Sequence, residues 1–244
     1  MTDAAAVIER DAEHHHHSHR DVNGGWLRPA VFGAMDGLVT NVSLIAGIAA
    51  AAGVTHTHVV VVTGIAGLLA GAFSMAVGEW TSVHSQAELV RAEIAKERHE
   101  LERRPAAEQA ELAGVFASRG VPRELAQKVA HELSQNPELV WRIHVREELG
   151  VDPDNLASPY VAAFSSLLSF AVGAFVPLLP YLLGAHRLWP SLVLAAVALT
   201  AVGASVARFT DRPWWLGGAR LLALGIAAVA ITYGVGSAFG VGLS

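Results

Sequence analysis

The chain reads as an all-α, polytopic membrane protein. Five transmembrane helices are expected, with a cytoplasmic helical domain inserted between the second and the third. Three observations predict this. Of 244 residues, 52% are hydrophobic, and the mean hydropathy of +0.40 is high for a soluble domain. The apolar residues gather in five runs, about 30–53, 57–78, 160–183, 188–207 and 214–241. Each is close to the roughly 20 residues that cross a hydrocarbon core. Between the second and third runs, residues 79–157 hold fifteen of the 22 acidic and ten of the 17 basic residues.

Lys and Arg placement sets the expected orientation. With the N-terminus inside, Arg10, Arg20, Arg28, the ten bases of the large insert, and Arg208, Arg212 and Arg220 all face the cytoplasm. Only Arg187 falls outside, and the loop near Thr55-His56-Thr57-His58 has no Lys or Arg. The N-terminus is polar and acidic, unlike a cleavable signal peptide. There is no cysteine, which excludes disulfides and thiolate metal sites, and a net charge of -5 argues against a nucleic-acid partner. Four segments follow: a disordered, His-containing tail over 1–25, the first two spans over 26–87, a Glu-rich helical domain over 88–157, and the last three spans over 158–244. In the tail, His14-His15-His16-His17-Ser18-His19 reads either as a solvated stretch or as a loose metal collector.

In the first span, Asp36 is an acid inside an apolar run. A charge at membrane depth is costly, so it marks a substrate or ion path unless it reaches the interface. Gly33, Asp36, Thr40, Ser43 and Gly47 share a narrow sector at 100° per residue. Thr40 and Ser43 therefore join Asp36 on a small, polar stripe expected to face inward and wet. The second span repeats the pattern with Gly64, Gly67, Gly71, Ser74, Met75 and Gly78. Small residues at this spacing let helix backbones approach closely, so packing alone is the simpler reading of the glycines. Met75 is either a gap-filling core residue or a soft ligand complementing a carboxylate on a facing helix.

Nothing breaks the second helix before Pro105, so it is expected to leave the membrane and carry Glu79, Glu88, Glu93, Glu97 and Glu100. Helices follow over about 106–118, carrying Glu108 and Glu111, and from Pro122 to about Gln135. Asn136-Pro137 pairs a cap with a first-turn proline and opens a helix bearing Trp141, His144, Glu147 and Glu148, closed at Gly150. Ser158-Pro159 opens the third span in the same manner; Pro177 and Pro180 are expected to kink it. Glu97/Glu100 and Glu108/Glu111 are Glu-x-x-Glu pairs, whose carboxylates share a helix face and can both reach one cation. The competing reading is a solvated surface balanced by Arg91, Lys96, Arg98, Arg103 and Arg104.

Four stretches together give a resemblance. They are Met35-Asp36-Gly37-Leu38-Val39-Thr40, Ala70-Gly71-Ala72-Phe73-Ser74-Met75-Ala76-Val77-Gly78, Asn136-Pro137 with Trp141 through Gly150, and Gly173-Ala174-Phe175-Val176-Pro177-Leu178-Leu179-Pro180-Tyr181. The chain resembles the vacuolar iron transporter family, including the yeast-type iron/manganese importers, over residues 28 to 241. The resemblance implies a homodimer of five-helix protomers with a cytoplasmic three-helix metal-binding domain. It implies Fe²⁺ moved out of the cytoplasm against protons, and no prosthetic group. By resemblance Asp36 and Met75 take the metal-path positions, and Glu97, Glu100, Glu108, Glu111 and Glu148 those of the cytoplasmic carboxylates. Two departures stand out: His144 and Val145 replace the methionines of plant-type members, and Gly67 replaces a glutamate. His144 can still coordinate a borderline metal.

The expected function is transport of a divalent metal, Fe²⁺ and with it Mn²⁺, through a membrane-embedded homodimer by proton antiport. Few Lys and much Ala and Arg favour a bacterial plasma membrane over a vacuole. One rival is a membrane-anchored iron sensor or buffer that transports nothing. Another is a ferroxidase, disfavoured because di-iron helix bundles use Glu-x-x-His and the paired glutamates here lack that histidine. The chain is not expected to be an enzyme.

Overall fold

The computed structural model describes residues 25–52 and 57–240. The N-terminal tail with its His tract lies outside the described residues, as does the loop over 53–56. Among the described residues eight α-helices run in order: α1 (Leu27–Ala52), α2 (Thr57–Arg103), α3 (Pro105–Ser118), α4 (Arg123–Ser134), α5 (Pro137–His144), α6 (Pro159–Leu182), α7 (Trp189–Phe209) and α8 (Trp214–Gly240). α5 passes directly into one π-helical turn, Val145–Leu149. Helices α1, α2, α6, α7 and α8 are long and apolar enough to cross a membrane.

α1 sits at the centre and packs against all four other spans. Leu38, Leu199 and Leu221 join α1 to α7 and α8, and Ile45, Val60, Leu178 and Tyr181 join it to α2 and α6. The outward faces are the reverse of a water-soluble pattern: Phe73, Val77, Leu168, Val172, Val197, Ile231 and Phe239 are exposed. Such faces suit a hydrocarbon solvent. Ser165 Oγ donates to the Trp26 carbonyl at 2.8 Å, which fixes the start of α1 beside the start of α6 and hence on the side of the insert. Thr57 Oγ1 and His186 Nδ1, 3.3 Å apart, tie the opposite ends together.

The small residues of the first span do not form one wet crevice within the protomer. Gly33 and Gly37 lie against the α6 backbone, whereas Gly47 lies against Thr232 of α8. Thr40 is exposed on the protomer surface and Ser43 is buried, so the expected inward stripe divides among different surroundings. On α2, Gly64, Gly67 and Gly71 meet Leu178, Leu44 and Phe170 side chains, while Ser74 is exposed. Packing accounts for these glycines. At Gly173 a Cβ would strike the Ala34 backbone carbonyl. Gly173→Leu must therefore push α1 and α6 apart. We expect a cost of about 1–3 kcal/mol, read as a lower thermal midpoint in detergent; an unchanged midpoint would mean the helices separate freely.

α2 is continuous for 47 residues, so the boundary drawn at 87/88 falls inside a helix. It ends where Pro105 occupies the first turn of α3. Asn136 caps α5, its Oδ1 accepting from the Glu138 and Leu139 amides. Ser158 caps α6, and α6 runs helically through both Pro177 and Pro180. Gly150 closes the π-turn in the left-handed region at φ 66. Leu112, Ala113, Ala130 and Val140, with Leu101, Phe116, Leu133 and Ile143, give the insert its own core.

Candidate metal centre

His144 is fully buried at the end of α5. Its Nδ1 lies 3.0 Å from Glu97 Oε1 on α2, 3.8 Å from Glu108 Oε2 on α3, and 3.0 Å from Glu148 Oε1 in the π-turn. One ligand atom from each of these four residues lies within 4.8 Å of the others. Three separate stretches of chain thus aim three carboxylates and an imidazole at one point. The π-turn starts directly after His144 and itself carries Glu148, a placement common at functional sites.

The electrostatics are unbalanced. A ring nitrogen carries at most one proton, so Nδ1 cannot donate to all three acids. Glu148 Oε1 takes that hydrogen bond, and Glu97 Oε1, equally near, is buried without one. Burial, then the neighbouring Glu148, pushes the Glu97 carboxyl up to about 7, against the lowering influence of His144. Burial, then Glu111, also raises the Glu108 carboxyl, again opposed by His144. The nearby bases are engaged elsewhere. Lys96 reaches Glu93, Arg119 pairs with Glu147, Arg142 with Asp154, and Arg146 with Asp152. Arg98 stacks 3.9 Å over the Trp141 ring, which fastens α2 to α5 beside the cluster. A cation at the centre would relieve three converging charges at once. Oxygen ligands with one imidazole suit borderline divalent metals such as Fe²⁺, Mn²⁺ or Zn²⁺.

The close set takes one glutamate from each Glu-x-x-Glu pair and joins them across two helices. Glu100 and Glu111 stay outside it, near enough to act on Glu108 through charge. In the membrane, the half-buried Asp36 accepts a 3.1 Å hydrogen bond from Thr40 Oγ1 on its own helix. Ser43 Oγ is buried without a partner among the described residues. Met75 packs against the Ala72, Phe170 and Ala174 cluster.

Two polar residues escaped the sequence reading of the site. Asn41 is buried in α1; its Nδ2 donates to the Ala174 carbonyl, and its Oδ1 faces Gly67 without a partner among the described residues. Its signal was available, since it is the lone side-chain amide in the first apolar run. Glu79, where α2 leaves its apolar stretch, is 8% exposed, and its Oε2 has no partner among the described residues. Being the first acid of a charged segment, it looked like an ordinary surface residue.

Comparison with known proteins agrees with this architecture. A family model described as the VIT family matches residues 27–237. A "Vacuolar iron transporter" from Acanthamoeba castellanii (strain ATCC 30010 / Neff) is 37% identical over 220 residues, covering 87% of this chain and 78% of that protein. A "Vacuolar iron transporter homolog 1" from Oryza sativa subsp. japonica is 34% identical, covering 97% and 88%. A "Vacuolar iron transporter 1" from the same plant is 29% identical, covering 95% and 94%. With five apolar helices and a match over almost its whole length, the chain is an integral membrane protein and belongs to the VIT family.

Proposed function

We propose that this protein carries Fe²⁺, and Mn²⁺ as a second substrate, out of the cytoplasm in exchange for protons, working as a homodimer. The observation that carries the reading is the Glu97, Glu108, His144 and Glu148 cluster. It hangs from the end of α2, the same unbroken helix that carries Met75 through the apolar layer. The cluster gathers metal from the cytoplasm, with Glu100 and Glu111 adding negative potential. The ion then passes to Asp36, whose carboxylate replaces part of its hydration shell, while Met75 favours softer ions over Mg²⁺ or Ca²⁺. Protons compete for the same carboxylates, which gives the exchange a chemical basis.

A second copy is part of the proposal. Asp36 and Thr40 lie on a face that the protomer's own helices leave partly open. A two-fold axis there would set two acids along one path. Insert and N-terminus would face the cytoplasm of a bacterial plasma membrane, following the asymmetry of Lys and Arg. No prosthetic group and no catalysis are required.

The test is reconstitution into liposomes with a pH-sensitive dye inside, offering Fe²⁺, Mn²⁺, Co²⁺ and Zn²⁺ in turn. Metal movement with opposed proton movement is expected. Tight binding with no movement would favour a membrane-anchored buffer, and oxygen consumption on adding Fe²⁺ would favour a ferroxidase.

A further inference from the structure

At the insert-side end of α7 and α8 a cavity of 590 Å³ opens between these helices and α1. Its floor is backbone, because α7 and α8 meet at Gly203 and Gly217, where a Cβ on either glycine would strike the other's carbonyl. Met35, Leu216, Leu221 and Leu224 make its walls apolar, and Arg212 and Arg220 bring two positive charges to it. Neither arginine has an ion-pair partner among the described residues. Asp211, beside Arg212 in the turn, is exposed.

Depth makes the arginines informative. Phe209, Trp214 and Trp215 are 60%, 58% and 57% exposed around the turn, as aromatic side chains are at a membrane surface. Arg220 lies six residues beyond Trp214, about 9 Å further along the helix axis. A guanidinium at that depth on an apolar helix must reach back to the surface or meet an anion. Basic pockets between transmembrane helices on the cytoplasmic side bind phospholipid head groups.

We propose that this cavity binds an anionic phospholipid of the adjoining leaflet. Arg212 and Arg220 hold the phosphate, and an acyl chain lies along Leu216, Leu224 and Met35. The apolar walls select a lipid over a free anion, and the paired charges select an anionic head group over a zwitterionic one. Through Met35 the bound chain touches α1 one residue from Asp36.

Native mass spectrometry of the full chain with equimolar phosphatidylglycerol and phosphatidylcholine tests this. The parent is expected to retain phosphatidylglycerol roughly tenfold over phosphatidylcholine, and excess inorganic phosphate should not displace it. R212Q/R220Q is expected to lose the preference. R208Q, which removes an exposed charge from α7 outside the cavity, is expected to keep it. Equal retention of both lipids by the parent would overturn the proposal, as would displacement by phosphate or an equal loss in R208Q. Should the double variant fail to fold, the single variants R212Q and R220Q must each weaken the preference, and the parent spectrum decides independently.

Discussion

Asp36→Asn is expected to cut metal flux in liposomes by at least about 100-fold while leaving metal binding by the insert unchanged. The two effects separate because Asp36 lies in α1, away from the Glu97, Glu108, His144 and Glu148 set. The magnitude follows from dehydration. A divalent ion crossing an apolar layer must exchange waters for protein ligands, and a carboxylate supplies charge as well as an oxygen. Losing groups that merely orient ligands already costs about 10–100-fold in affinity, so losing a ligand costs more. Asn keeps the size and can still meet the Thr40 hydroxyl, so the local α1 structure should survive. Circular dichroism and the detergent midpoint check that it does. Flux within a few-fold of the parent would remove Asp36 from the path and leave the insert as a binding device.

Where the sequence was legible, local physics was decisive. Five spans could be drawn because apolar run length is a direct consequence of bilayer thickness. Asn136-Pro137 and Ser158-Pro159 announced helix starts because a capping oxygen followed by proline satisfies the first turn, and both side chains do cap. The selection of glutamates was not legible from pair spacing. Glu97 shares a helix face with Leu101 four residues on, and Glu108 with Leu112. Those leucines belong to the core of the insert, so burying them turned Glu97 and Glu108 inward and left Glu100 and Glu111 beside the centre. The glycines of the α1 stripe part for a related reason. A central helix meets several neighbours at crossing angles, so Gly33 and Gly47, one sector on a helical wheel, face α6 and α8 respectively.

Glu97→Gln should move two quantities in opposite directions: weaker metal binding, but a more stable metal-free protein above neutral pH. In the metal-free parent, Glu97 is raised from 4.5 to about 7. An acid with a raised value binds its proton more tightly when folded, so its contribution to stability is complete below 4.5 and is lost as pH rises through 7. The metal-free parent is therefore expected to lose thermal midpoint between about pH 5 and pH 8. Glu97→Gln, which cannot ionise, should show a shallower decline and a higher midpoint at pH 8. Metal reverses the order. It needs the carboxylate deprotonated, so binding by the parent should release a proton below neutral pH and weaken by up to about tenfold per unit. Calorimetry in two buffers of different ionisation enthalpy measures that release, and the glutamine variant should show less of it together with at least tenfold weaker binding. His144→Ala separates ligand from spacer. It too should weaken metal binding, and it removes a fully buried ring that is the hydrogen-bond partner of Glu148. The cavity and the lost hydrogen bond should lower its metal-free midpoint at pH 8 below the parent's, opposite to Glu97→Gln. If both variants shift the midpoint the same way, these side chains do not act through converging charge, and the cluster is a packed polar junction without a cation.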